Sequence, residues 1–322
     1  MKEKISTEIA SKRLIDSDNI LIICHKNPDG DTIGSAGALH LALKSLDKVS
    51  AVICSDEIPN RYNYMQIEKY NNQFNPQFIV AVDVASTSLF GDAINDYTQK
   101  INLCIDHHSS NSFYADETFL NSDAGANCEN MLEIIKKMKV EITPLMANCL
   151  YTGVVTDTGC FKFMNTTKET FLVAAELIDL GAEHNKLNTL LFESKSTNRL
   201  EIERIALQSL EYYFDNKCAM IAVTKEDINE AGVELADLEG ITAIPKMIEG
   251  VQFGITIRQL QSGVYKVSIR TGAKHNASLI AKQLGGGGHA QAAGCEIMGS
   301  LQFVKTAILK EIEKALNEEI EE

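Results

Sequence analysis

Four short segments of the sequence gather side chains that could do chemistry. They are His25-Lys26-Asn27-Pro28-Asp29-Gly30-Asp31, the single Asp83, the triplet Asp106-His107-His108, and Asp157. The first three each follow a short apolar, β-branched run, at 20–24, 78–82 and 101–105. The carboxyl ends of strands in an open parallel sheet lie along one edge, which is where ligands bind. Carboxylates and imidazoles are costly to cluster there unless something compensates their charge, and a cation does so. Several carboxylates with two imidazoles and no thiol suit Mn²⁺ or Mg²⁺ better than a structural zinc. So many anionic ligands exceed the need of one ion and point to two that share a bridging carboxylate. Taken singly, each piece is weaker. Asp29-Gly30 is a common turn pair and Asp83 could cap a helix. An EF-hand is excluded because Ile33 stands where a carboxylate or amide ligand is needed. His40 and His184 read as structural. The combination is hard to explain as packing.

A second signal lies toward the carboxyl terminus. Between Gly250 and Cys295 there is no Asp or Glu, yet Arg258, Lys266, Arg270, Lys274 and Lys282 all fall there. On a strand over 264–270, Lys266, Ser268 and Arg270 share one face by the period of two. Close by stand Gly285-Gly286-Gly287-Gly288-His289 and Ala292-Ala293-Gly294. The glycines follow a helical pattern rather than a strand and no G-K-[ST] comes after them, so neither a dinucleotide fold nor a Walker loop fits. Glycines do allow close backbone approach, with amides free to face an anion.

These groups must be held by elements. In the first half, strands at 20–24, 49–54, 78–84 and 101–105 alternate with helical patterns at 32–46 and 61–70, which implies an open, mostly parallel α/β sheet flanked by helices. Helices are expected at 126–140, 143–156 (Pro144 suits the start) and 167–180, then at 198–214. Strands at 218–224, 251–260 and 264–270 then alternate as if antiparallel, giving a smaller α+β domain. The last dozen residues, with six glutamates, read as a solvated terminal helix. The expected division is 1–190 catalytic, 191–214 helical linker, and 215–322 substrate-binding, with the active site in the cleft between the two domains.

The chain has 322 residues and a net charge of −14, so a long phosphate backbone would be repelled except at a local basic patch. No apolar run approaches the ~20 residues of a membrane span and no secretory signal precedes the first helix. Eight scattered cysteines without paired spacing fit a reduced, cytoplasmic protein.

The four segments, in this order, resemble the DHH phosphoesterase superfamily, and the Gly-Gly-Gly-His stretch resembles its DHH-associated C-terminal domain. The resemblance covers nearly the whole chain. It implies that His25, Asp29, Asp31, Asp83, His107 and Asp157 hold two Mn²⁺ ions, with Mg²⁺ as a possible substitute, and that Asp83 bridges them. It further implies that His108 contacts the substrate phosphate and acts with Asp83 in catalysis. Arg270, Ser268, Gly286, Gly287, Gly288 and His289 would bind substrate. The two-domain length is most similar to the group of bifunctional oligoribonucleases and 3′-phosphoadenosine-5′-phosphate (pAp) phosphatases. Expected partners are therefore short RNA, linear dinucleotides (pApA, pGpG) or pAp as substrates, with no long nucleic acid and no membrane. A homodimer is left open. The rivals are a manganese inorganic pyrophosphatase, a single-strand exonuclease, and a nucleotide-binding sensor without turnover. The pyrophosphatase's basic S-R-K-K-type segment is absent.

Overall fold

The computed structural model describes residues 3–98, 100–233, 238 and 240–321. It divides into two compact units, Met1–Ser194 and Lys195–Glu322. No helix among the described residues is long and apolar enough to cross a membrane.

The first unit holds β1 (Glu3–Lys4), α1 (Thr7–Asp16), β2 (Ile20–Ile23), α2 (Gly30–Ser45), β3 (Ser50–Ile53), β4 (Phe78–Val82), β5 (Leu103–Asp106), β6 (Glu117–Leu120), α3 (Asn127–Lys137), α4 (Pro144–Asp157), α5 (Lys168–Asp179) and α6 (His184–Asn188). The strands form one six-stranded sheet in the order β1-β6-β5-β4-β2-β3, and every neighbouring pair is parallel. Along β2, Ile20 and Ile22 face a core shared with α1 to α4, while Leu21 and Ile23 face a second core built around Phe90, Ile94 and Ala115. Burial on both faces is why β2 and β4 read as unbroken apolar runs rather than alternating ones. The chain leaves β2 first toward β3 and later toward β4, so the strand order reverses between β2 and β4. Such a reversal opens a crevice at the carboxyl edge.

The predicted helix at 61–70 is absent. A 3₁₀ turn at Asn60–Met65 ends at Gln66, which is left-handed with φ 53°, and Lys69 then bridges to Val52 alongside the sheet. The remaining predicted helices form, and α4 starts as its sequence suggests, with the Thr143 hydroxyl accepting from the Met146 amide and proline in the first turn.

The second unit holds α7 (Thr197–Gln208), β7 (Glu211–Tyr213), β8 (Cys218–Val223), α8 (Lys225–Ala231), β9 (Phe253–Gln261), β10 (Val264–Thr271), α9 (Ala277–Gln283), β11 (Gly287–Gly288), β12 (Ala292–Met298) and α10 (Leu301–Glu321). The helix expected at 198–214 stops at Gln208 and gives way to β7. Both lie in the stretch read as a linker, but Ile202 and Ala206 of α7 are buried within this unit against Ile221 and Val223. The sheet runs β11-β12-β10-β9-β8-β7 and is not wholly antiparallel, because β8 and β9 pair in parallel across the connection that carries α8. The terminal helix is half core rather than solvated. Val304, Ile308, Ile312 and Leu316, one turn apart each, are buried under the sheet, and Glu322 lies outside the described residues.

Candidate functional site

Local capping explains how the acidic groups of the first unit come to face one another. Asp29 is the N-cap of α2, and its Oδ1 accepts from the amides of Asp31 and Thr32 at 3.0 and 3.1 Å. Asp31, two residues on in the first turn and 1% exposed, turns inward. Its carboxylate accepts from the amides of Asn127 and Cys128 at 2.6 and 2.9 Å, so it satisfies the first turn of α3, which has no side-chain cap of its own. Asp157 closes α4, and the Asn165 amide donates to its Oδ2 at 3.3 Å. The helices α2 and α4 approach closely because glycines line their contact. A methyl group on Gly30 would collide with Thr156, one on Gly34 with the Cys149 carbonyl, and one on Gly153 with Cys128.

The six residues expected as ligands converge. His25 Nε2 lies 3.6 Å from Asp29 Oδ1 and 3.7 Å from Asp83 Oδ2. His107 Nε2 lies 3.5 Å from Asp83 Oδ1, 3.7 Å from Asp157 Oδ2 and 3.8 Å from Asp31 Oδ2. His25, Asp29 and Asp83 make one group with metal-ligand spacing and Asp31, His107 and Asp157 another, with Asp83 touching both. Each imidazole donates its Nδ1–H to a carbonyl, His25 to Lys26 at 2.8 Å and His107 to Ala124 at 3.1 Å. A carbonyl only accepts, so in the neutral rings Nε2 is left as a bare lone pair aimed at carboxylate oxygens. Without a cation there, His25 supplies the positive charge itself as an imidazolium, and a bound cation would take the place of that proton.

Asp83 states the same demand most directly. Its Oδ1 is buried and accepts no hydrogen bond, and its backbone is held in the left-handed region at φ 60°. Burial, then the charge of Asp31, holds the Asp83 carboxyl well above the usual carboxylate range. Burial and Asp31 also push Asp157 up to about 7. Burial lowers His25, but the hydrogen bonds of Asp29 and Asp83 outweigh it and carry the imidazole up to about 11. The donors therefore fit hard divalent cations.

These directions set a pH dependence for the chelated protein. An aspartate raised when folded binds more protons than when unfolded, so stability falls as pH rises from about 4 to 7. His25 carries the same sign from about 6.5 upward. In EDTA, the melting temperature should decline between pH 5 and 8. Excess Mn²⁺ should restore it by at least about 5 °C at pH 8, and by less at pH 5. A flat EDTA profile, measured by calorimetry, would contradict uncompensated carboxylates.

His108 borders this cluster, with Nδ1 3.5 Å from Asp83 Oδ1, and forms a third group of ligand spacing with Asp83 and His107. Its Nδ1 donates to Asp106 Oδ1 at 2.8 Å, and that hydrogen bond raises its pKa. Asp106 is fully buried and also accepts from the amides of His107 and His108 and from Asn111 Nδ2. The second ring nitrogen of the partly exposed His108 is thus left for other partners. The positioning by Asp106 and Asn111 has no signature in the sequence beyond the triplet itself. His40 is buried and bonds Ser50 Oγ at 2.9 Å, a packing role.

In the second unit a cavity of about 410 Å³ is lined by Arg258, Lys266, Ser268 and Arg270 on the sheet and by Leu238 and Ile241 opposite. None of the three cations pairs with a carboxylate among the described residues, and burial alone lowers the Arg270 pKa. Three uncompensated cations in a cavity invite an anion. Gly286, Gly287, Gly288 and His289 lie beside it on the edge hairpin rather than in its lining. A methyl group on Gly286 would strike the carbonyl of Gly294, which does border the cavity, and His289 closes the hairpin by accepting from and donating to Ala292.

The model of the DHH family, N-terminal domain, matches residues 19–154, and that of the DHHA1 domain matches residues 202–321. The chain is 32% identical over 308 residues to the "Bifunctional oligoribonuclease and PAP phosphatase NrnA" of Thermus thermophilus, covering 92% of this chain and 91% of the relative. It is 24% identical to the protein of that name from Bacillus subtilis, over 87% of this chain and 90% of the relative. Among solved structures, an exopolyphosphatase-related protein from Bacteroides fragilis superposes with a TM-score of 0.85 at 26% identity, covering 96% of both chains.

Proposed function

The chain belongs to the DHH family, and on that footing we propose that it is a manganese-dependent phosphoesterase of short nucleotides. It would hydrolyse oligoribonucleotides of a few residues and linear dinucleotides such as pApA and pGpG to mononucleotides, and pAp to AMP. The oligoribonuclease and pAp phosphatase parts of this range follow the names of the relatives from Thermus thermophilus and Bacillus subtilis, over about nine-tenths of this chain, and linear dinucleotides are the shortest members of the same class. One observation carries the hydrolytic reading: the buried, unpartnered Oδ1 of Asp83 between His25 and His107.

In this reading His25, Asp29 and Asp83 hold one cation, and Asp31, Asp83, His107 and Asp157 the other. Bound there, two divalent ions would supply an activated water and neutralise phosphoryl oxygens. The protein's own contribution is orientation and proton handling. Lys26 and Ala124 carbonyls fix the ligating tautomers. Asp106 fixes His108 and favours its protonated form, so the free ring nitrogen donates to a phosphoryl oxygen or to the departing alkoxide. In the second unit Arg270, Lys266 and Ser268 grip phosphate, while Leu238 and Ile241 offer an apolar wall that pyrophosphate would not need. That wall favours a nucleotide over the pyrophosphatase reading. The eight unpaired cysteines favour a cytoplasmic setting.

A hydrolysis panel tests this: pAp, pApA, pGpG, RNA 2- to 5-mers and pyrophosphate, with Mn²⁺ and with EDTA. Turnover of the nucleotides with Mn²⁺ and none with EDTA is expected. Pyrophosphate as the sole substrate would transfer the assignment to the pyrophosphatase. Arg270→Ala should raise KM by roughly 10- to 100-fold, since a charge-assisted contact contributes roughly 1.5–3 kcal/mol, and leave metal content unchanged. A collapse of kcat at constant KM would make Arg270 a transition-state stabiliser instead.

A further inference from the structure

Beside the metal-ligand cluster of the first unit is a separate recess of about 230 Å³, bordered by Asp29 and Asp157 and walled by Arg61, Tyr62, Leu191 and Phe192. Three observations single it out. Leu191 and Phe192 sit in a π-helical turn, Thr189–Glu193, closed by a hydrogen bond from the Ser194 amide to the Thr189 carbonyl at 2.8 Å. Such turns are rare and occur often at functional sites. That turn leaves Phe192 36% exposed, while Leu191 packs partly against the core. In the same lining, the exposed Arg61 guanidinium lies over the Tyr62 ring at 5.0 Å and pairs with no carboxylate among the described residues. The recess thus has a flat cation and an aromatic ring in its wall and two of the expected metal ligands at its rim.

We propose that this recess is a nucleobase subsite, in which a base of the substrate lies between Arg61 and Phe192 and so fixes the scissile phosphate over the metal ligands. Its volume is below the ~300–1,000 Å³ of pockets that enclose whole drug-sized ligands, and suits a single ring system. Stacking on an aromatic ring and on a guanidinium is tolerant of base identity, because every base has a π-face. This inference rests on the nucleotide reading above and makes Arg61 and Phe192 base-binding residues that select a nucleobase over none rather than one base over another.

The test is a coupling experiment on binding, independent of turnover. The ligands are a pApA analogue with a methylene in place of the scissile bridging oxygen and its two counterparts lacking one base each, titrated calorimetrically with Mn²⁺ present. In the wild type, loss of one particular base should weaken binding about tenfold. Phe192→Ala and Arg61→Ala should weaken the intact analogue by a similar factor and then be insensitive to loss of that base, the non-additivity of groups in contact. Phe192→Tyr should behave as wild type. Both residues are exposed, so the variants should melt within a few degrees of wild type. Additive effects, unaffected binding in both alanine variants, or no binding of the intact analogue would overturn the subsite. Coupled binding without hydrolysis of any nucleotide in the panel would overturn the proposed activity and leave the subsite standing.

Discussion

Replacing Asp83 by asparagine is expected to lower kcat by at least about 10³-fold while the protein stays folded. A neutral amide presents one oxygen and one N–H pair and cannot bridge two cations, whereas the carboxylate offers an oxygen to each side. His25 faces Oδ2 and His107 faces Oδ1, so both sides would lose their shared anion at once. The fold should tolerate the change for two reasons. Asparagine accepts the left-handed backbone of position 83 at least as well as aspartate does. The substitution also removes a buried charge that burial and Asp31 oppose. The melting temperature in EDTA should therefore rise, and Mn²⁺ should add little to it. Metal content by mass spectrometry and kcat on pApA check the two halves separately. Retention of more than about a tenth of wild-type kcat would remove Asp83 from the bridging position.

The second large effect concerns substrate length. Efficiency, kcat/KM, is expected to be highest for dinucleotides to about pentamers and to fall steeply for a 24-mer. The basic cavity of the second unit presents three cations, Arg258, Lys266 and Arg270, in a chain whose net charge is −14. It can neutralise a few phosphates, while acidic surface elsewhere repels a longer strand. Salt dependence should be shallow, because the slope on single strands is near −0.7 per contacted phosphate and few are contacted. Equal efficiency on 2-mers and 24-mers, or a steep salt slope, would revive the exonuclease reading.

The candidate metal centre was legible in the sequence because each of its groups interrupts an apolar run. His25, Asp83 and His107 stand where β2, β4 and β5 end, and a strand end is visible without knowing what packs on it. The basic face of β10 was legible for a related reason: a period of two assigns Lys266, Ser268 and Arg270 to one side whatever the neighbours are. What stayed hidden depends on contacts distant in sequence. The Asp31 carboxylate capping α3 joins residues almost a hundred positions apart, and nothing near Ala126 announces it. The parallel β8–β9 pairing is set by the connection between the strands, not by their alternation. The recess at Arg61 and Phe192 was invisible because the 3₁₀ turn resembles a helix by composition and the π turn is set by its surroundings. The buried stripe of α10 was overlooked because its glutamates dominate the composition, although Val304, Ile308, Ile312 and Leu316 repeat every fourth residue.

The glycine contact between α2 and α4 also sets the gauge of the candidate metal centre. Asp31 rides on one helix and Asp157 on the other, and the helices meet where Gly30, Gly34 and Gly153 leave no side chain to adjust. The span between the two carboxylates is therefore set by close-packed main chain, among the least compressible matter in a protein, rather than by rotamers that could flex. An ion of a different radius has to be met by torsion of a short aspartate stem alone. In the proposed metal site, size discrimination, such as that between ions bound near 2.0–2.1 Å and those bound at 2.3–2.6 Å, would thereby fall to a helix–helix contact that never touches the ion.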